Sequence, residues 1–406
     1  MLASQLYATT DVLPVAGLDR LAEHLPNAWI EQALEATGTA SIRRRRLPAE
    51  QVVWLVIALA IYRRQSMPEV LATLDLALSA ASAQAVSKSA VTQARQRLGA
   101  KPLAQLFDQT ARAWCQQDAE YHAWQGLSLW AMDGTTFRTP DSTNNRAHFG
   151  AQAYASGKVA SYPQVRAVSI TAIPTHLVSD IAFGTYAQNE MLYAKTLVGR
   201  IADHSLTVFD RGFLSAEILL GLTLGGQERH YLIPAKSNTK WEVLSGSADD
   251  CLVRMRVSPQ ARAKAPELPE HWTARAVRMV SANGKQRVLL TSLLDRRRFK
   301  AEALAECYRR RWEIETSYRE LKQSMLGEAL TLRSQQPEGI EQEIWGALIA
   351  YNLVRLEMAK TAIEAKVEPT DLSFLRALHI LQHEMIWAVG MAPGKLPAHL
   401  VRLRTQ

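Results

Sequence analysis

The chain has 406 residues, a formal net charge of +8, 48% hydrophobic and 21% charged residues. This is the balance of an ordinary globular protein, long enough for roughly two or three domains with cores of their own. Cys115, Cys251 and Cys307 lie too far apart for a disulfide framework or a zinc site. Met1–Leu13 lacks the basic-then-apolar pattern of a signal peptide, and the most apolar stretch, Val52–Tyr62, is too short to span a bilayer. No membrane role is expected, and a cytoplasmic, nucleoid-associated location is. The positive balance favours a polyanionic partner, and its distribution says more than its size. Arg43, Arg44, Arg45 and Arg46 run together, Arg296–Arg298 with Lys300 form a second cluster, and Arg309–Arg311 a third, which points to phosphate contact.

Residues 1–120 read as helical. Leu47-Pro48-Ala49-Glu50 opens a helix whose apolar run from Val52 to Ile57 is buried. A second helix is expected over Met67–Leu76. A third, capped by Ser87 or Ser89, carries Lys88, Gln93, Arg95, Gln96 and Arg97 before Gly99 stops it. The pair fits a helix-turn-helix or a plain helical bundle equally well.

From Leu127 the pattern changes. Leu127–Met132 reads as a strand ending in an Asp133-Gly134 turn. Val165–Ile173 and Leu177–Phe183 are β-branched-rich and flank Pro174-Thr175-His176, a hairpin signal. Gln188–Ile201 has helical spacing, Leu206–Phe209 is a buried strand ending on Asp210, and a helix (Ser215–Leu224) and a strand (His230–Pro234) follow. The result is a mixed α/β layer with two strands that each end in an aspartate. An aspartate in that place is, by itself, most often a turn former. Polar alternating segments (Cys251–Val257, Trp272–Val280, Arg287–Leu293) suggest a small β insertion, after which Phe299–Met325, Ile340–Ile363 and Leu372–Ile386 read as long helices.

Treating Phe299–Met325 as one helix at about 100° per residue places Tyr308, Arg311, Trp312, Glu315, Arg319 and Lys322 on one face roughly a quarter-turn wide. Cys307, Ile314 and Leu321 form an apolar stripe that seats the helix on the sheet. An exposed face with Glu–Arg pairs, each worth a few tenths of a kcal/mol, accounts for Glu315 with Arg311 and Arg319 but gives the aromatic residues no role. A surface holding a metal ion and a phosphate backbone uses all six, and is the favoured reading.

Tyr308-x2-Arg311-x3-Glu315-x6-Lys322 resembles the signature of the insertion-element-4 family of DDE transposases. Asp133-Gly134-Thr135-Thr136, Asp210-Arg211-Gly212-Phe213, Leu332-Arg333-Ser334 and the stretch from Arg43 to Trp54 are similar to further segments of that family, so the resemblance covers nearly the whole chain. It implies an RNase H-like core (121–236 and 294–335) with a mixed sheet flanked by helices. It also implies an all-α N-terminal DNA-binding domain (1–120), a β-rich insertion (237–293) and a helical C-terminal region (336–406). Asp133, Asp210 and Glu315 become the catalytic, metal-holding carboxylates for two Mg²⁺ ions, with Mn²⁺ tolerated. The implied reaction is cleavage at transposon-end inverted repeats and joining of the 3′-hydroxyl to target DNA, within a homodimeric synaptic complex. Tyr308, Arg311, Trp312, Arg319, Lys322, Arg287 and Arg43–Arg46 are the expected DNA contacts. Structurally studied members of the family carry a tryptophan that stacks on a base flipped from a DNA hairpin; the corresponding position here is Arg287, with Trp241 and Trp272 as alternative stacking groups. The competing readings are an RNase H-like hydrolytic endonuclease and a non-catalytic DNA-binding protein.

Overall fold

A computed structural model describes residues 24–40, 47–71, 87–119, 122–154, 157–280, 284–327 and 331–387. Arg43–Arg46, and the expected helix beyond Leu71, lie outside the described residues. The chain separates into two compact units, one made of Met1–Trp114, Phe137–Gln164 and Arg319–Gln406, the other of Cys115–Thr136 and Val165–Tyr318.

The first unit is helical. Its centre is the helix Ala49–Ile61, buried at every position from Val52 to Ile61, against the long helix Pro337–Ala365, itself buried through most of its length. Helices apolar on all sides belong in a core. Ser87 caps the helix Lys88–Leu98 by accepting the Ala90 N–H, and Gly99, at φ 67°, ends it in a conformation that favours glycine. Arg95 Nε donates to Gln342 Oε1 at 2.7 Å, fastening that helix to the long one.

The second unit is built on one mixed nine-stranded sheet. The strands are β1 (Ser128–Arg138), β2 (Gln164–Ala172), β3 (Val178–Thr185), β4 (Ser205–Phe209), β5 (Arg229–Pro234), β6 (Glu242–Gly246), β7 (Asp250–Arg256), β8 (His271–Val280) and β9 (Gln286–Thr291), in the order β3-β2-β1-β4-β5-β9-β8-β7-β6. β4 runs parallel to both β1 and β5, while β2/β3 and β5/β9 are antiparallel, as is the meander β9-β8-β7-β6. All five residues of β4 are buried, as expected for a parallel strand covered on both faces. The segment after Pro234 extends the central sheet, because β9 pairs with β5. Strand β6 had no sequence signal: each of its residues is exposed and none alternates.

Two expected elements differ. β1 does not stop at Asp133 but continues to Arg138. A Cβ on Gly134 would come within 2.6 Å of the Glu190 carboxyl carbon, so this glycine allows a close approach rather than a turn. The helix expected over Phe299–Met325 is three pieces: Ala301–Arg309, Trp312–Arg319 and a π-helical turn, Glu320–Met325. Around the break the N–H groups of Arg311, Glu313 and Ile314 donate to carbonyls three residues back, which tightens the turn and rotates each residue further than α-helical spacing allows for.

Candidate active site

The two aspartates are brought level by strand register. β1 and β4 are parallel, with Met132 opposite Phe209, so the next residue on each strand, Asp133 and Asp210, leaves the ladder at the same height. Neighbouring strands lie about 4.8 Å apart. Side chains alternate, so Asp133 continues the face of Leu129 and Ala131, and Asp210 that of Leu206 and Val208. Those four apolar residues belong to a buried cluster with Leu304, Cys307, Tyr308 and Ile314. The cluster that seats the two helical pieces on the sheet therefore also brings Glu315 to the end where the aspartates stand.

Asp210 caps the short 3₁₀ turn Arg211–Phe213, with Oδ2 accepting from Gly212 N at 3.2 Å. Asp133 Oδ1 accepts from Gly134 N at 2.8 Å. Arg311 bridges the remaining carboxylates, donating from Nη1 to Asp133 Oδ2 at 3.2 Å and from Nη2 to Glu315 Oε1 at 2.6 Å. Burial pushes the Asp133 carboxyl up to about 6, and the charges of Asp210 and Glu315 push the same way, against the Gly134 N–H and Arg311.

The donor set fits a hard divalent cation, which prefers carboxylate oxygens, and Arg311 stands between two of the carboxylates as the positive charge they call for. Among the described residues, no three His, Cys, Asp or Glu side chains converge tightly enough to share one ion.

The other expected site residues separate. Tyr308 lies in the apolar cluster, 5% exposed, and burial raises its phenol, which lies within range of Arg311, Asp210 and Arg287. Trp312 points to solvent, 61% exposed. The single stripe therefore splits, because the tightened turn at Arg310–Arg311 rotates Tyr308 inward and Trp312 outward. Arg319 is exposed, and the Lys322 ammonium is lowered by burial and by Arg138. Arg287 lies on β9, exposed, opposite Met279. Trp272 is partly buried and packs against Val257, Ala265 and Leu268. The cluster at Arg296–Arg298 is partly tied down, with Arg296 at 3.4 Å from Asp250 and Arg298 donating to the Gln125 carbonyl at 3.0 Å.

The sequence reading missed Glu190, whose carboxylate lies over Gly134; as the first residue after the Asn189 cap it reads as an ordinary dipole-favoured acid. It also missed His176, which bonds Glu313 at 3.0 Å from a left-handed turn, and Tyr318. Tyr318 lies just outside the stripe that drew attention to Glu315.

Comparison with known proteins identifies the family. Residues 15–108 match the family described as Insertion element 4 transposase N-terminal, and residues 124–353 match Transposase DDE domain. The transposase InsG for insertion sequence element IS4 of Escherichia coli (strain K12) is 39% identical over 382 residues, covering 94% of this chain and 86% of that protein. The putative transposase InsZ of the same organism is 35% identical over 237 residues, 57% of this chain and 77% of that one. A solved piggyBac transposase synaptic complex with hairpin DNA overlays loosely, with a TM-score of 0.43 and 11% identity over 93% of this chain and 81% of that one. On the two sequence matches, the chain belongs to the insertion element 4 family of DDE transposases, metal-dependent enzymes that cut DNA and join it.

Proposed function

We propose that Asp133, Asp210 and Glu315 are the carboxylates that hold two Mg²⁺ ions for cleavage at the transposon ends and for joining the freed 3′-hydroxyl to target DNA. The observation that carries this reading is the shared height of Asp133, on β1, and Asp210, just after β4, with Glu315 linked to Asp133 through Arg311. Bound divalent cations supply charge neutralisation and a more acidic attacking water or hydroxyl. The chain's own work is to hold and orient, since phosphoryl transfer of this kind depends on positioning and charge stabilisation. Arg311 grips a phosphate beside the cleavage point once its carboxylate partners are neutralised. Tyr308 orients the strand from beneath, Trp312 offers an exposed ring to a sugar or an unstacked base, and Arg319, Lys322 and Arg287 contact the backbone.

In the same reading, residues 1–120, with Arg43–Arg46, recognise the inverted repeat, residues 121–236 and 294–335 form the catalytic core, residues 237–293 are an insertion in it, and residues 336–406 complete the chain. A homodimer synapses the two ends, and the enzyme works in the cytoplasm, at the nucleoid. No helix of the described residues is long and apolar enough to cross a membrane. The test is a cleavage and strand-transfer assay on inverted-repeat DNA with Ala at each carboxylate. Loss of both steps with end binding retained is expected; cleavage by Asp133→Ala would exclude it from the site. Absence of joined product with precut ends in the unmodified enzyme would favour a hydrolytic endonuclease.

A further inference from the structure

We propose that Tyr318 is a positioning residue that fixes the spacing between Asp133 and Glu315, and with it the fit of the carboxylates to a divalent cation; this rests on the carboxylate assignment above. Tyr318 stands three residues after Glu315 on the helix Trp312–Arg319, one turn along on neighbouring surface. Its hydroxyl donates to the main-chain carbonyl of Asp133 at 2.7 Å. That carbonyl lies beyond the last β1–β4 pair, Met132 with Phe209. One helix therefore presents Glu315 to the site and ties down the backbone that presents Asp133.

The direction of the hydrogen bonds is set by chemistry. A carbonyl only accepts, so Tyr318 donates to Asp133, and the Ser169 hydroxyl, 2.8 Å away, donates to the Tyr318 oxygen. Ser169 then accepts from Thr171, 3.2 Å away. Ser169 and Thr171 are each 1% exposed on a strand otherwise largely apolar. Buried hydroxyls are unfavourable unless bonded, and this pair is used to orient one phenol. Burial of the phenol and the charge of Asp133 hold its pKa up, so the proton stays on the oxygen that donates.

This link differs in kind from that of Arg311. The Arg311 bridge is an ion pair, weakened when cations neutralise the carboxylates. The Tyr318 bond is neutral and goes to the backbone, so it holds the same spacing with cations present or absent.

The test uses the full-length chain and Mn²⁺, with the free ion followed by electron paramagnetic resonance and folding by thermal melting. Removing an outer partner of a metal site weakens binding by roughly 10–100-fold. Tyr318→Phe, which keeps the ring, is expected to weaken Mn²⁺ binding about tenfold, with end-DNA affinity unchanged and cleavage recovering as Mn²⁺ is raised. A lower melting temperature with unchanged Mn²⁺ affinity would show a purely structural role and overturn the proposal. Asp133→Asn and Glu315→Gln run alongside: if neither weakens Mn²⁺ binding, the carboxylate assignment itself falls and the proposal falls with it. If they do and Tyr318→Phe does not, only the role of Tyr318 is refuted. Should Tyr318→Phe fail to fold, Ser169→Ala decides, with weaker Mn²⁺ binding in support and unchanged binding against.

Discussion

The raised carboxyl of Asp133 makes a prediction opposite to the usual expectation for an active-site substitution. Asp133→Asn keeps the size of the side chain and an acceptor for the Gly134 N–H at 2.8 Å, while removing the charge. In the unfolded chain the carboxyl ionises near its ordinary 3.8; in the folded chain it keeps its proton to about 6. Between those values the folded state binds more protons than the unfolded state, so stability falls as pH rises through that window, and this group's contribution is fully lost above it. At about 1.36 kcal/mol per pH unit, the loss is about 3 kcal/mol. The Asn variant does not titrate and escapes it. Melting in chelator across pH 4 to about 8 should show the unmodified protein declining against the variant, by roughly 6–12 °C at the upper end for a unit of this size. Addition of Mg²⁺ should then raise the unmodified protein and leave the variant in place, since a ligand stabilises only the state that binds it. Parallel melting curves across the pH range would refute the reasoning.

Arg311→Ala removes the charge that holds Asp133 down, so the pH midpoint for Mn²⁺ uptake should rise by about one unit; an unmoved midpoint in a pH series of Mn²⁺ titrations would count against the bridge. Trp312→Ala should leave the melting temperature unchanged, because the ring is 61% exposed, yet weaken binding of single-stranded end DNA by about 1–3 kcal/mol, read by fluorescence anisotropy. Equal affinities would remove Trp312 from the DNA path. Asp250→Ala strands the fully buried Arg275, which Asp250 meets through two bonds of 2.8 and 2.7 Å, and should destabilise the sheet by roughly 3–5 kcal/mol in urea unfolding. A smaller loss would mean that the Phe299 carbonyl, which also accepts from Arg275, suffices.

How much of this was legible in the sequence depended on the range of the interaction behind each feature. β4 with Asp210 was legible because everything about it is local: a short apolar run, then an aspartate whose carboxylate takes the N–H of Gly212. Gly134 was misread because its reason is a carboxylate arriving from Glu190 on another element, which no window around Asp133 contains. The apolar stripe Cys307, Ile314 and Leu321 is buried as its spacing predicts. The polar stripe beside it failed at Tyr308 and Trp312, because helical counting assumes one pitch and the backbone tightens at Arg310–Arg311. β6 was invisible for a different reason: an edge strand exposed on both faces leaves no hydrophobic period to read.

The placement of Glu315 after the last strand also bears on the order in which the protein is made. Synthesis delivers β1 and β4 first, so both aspartates can meet while β9, the neighbour of β5, has yet to be added. The third carboxylate leaves the ribosome only after the whole sheet is present. A nascent or prematurely terminated chain that ends before Glu315 thus carries both aspartates without the carboxylate proposed to complete the site. On the proposed carboxylate assignment, translation itself leaves the enzyme unarmed until its scaffold is whole.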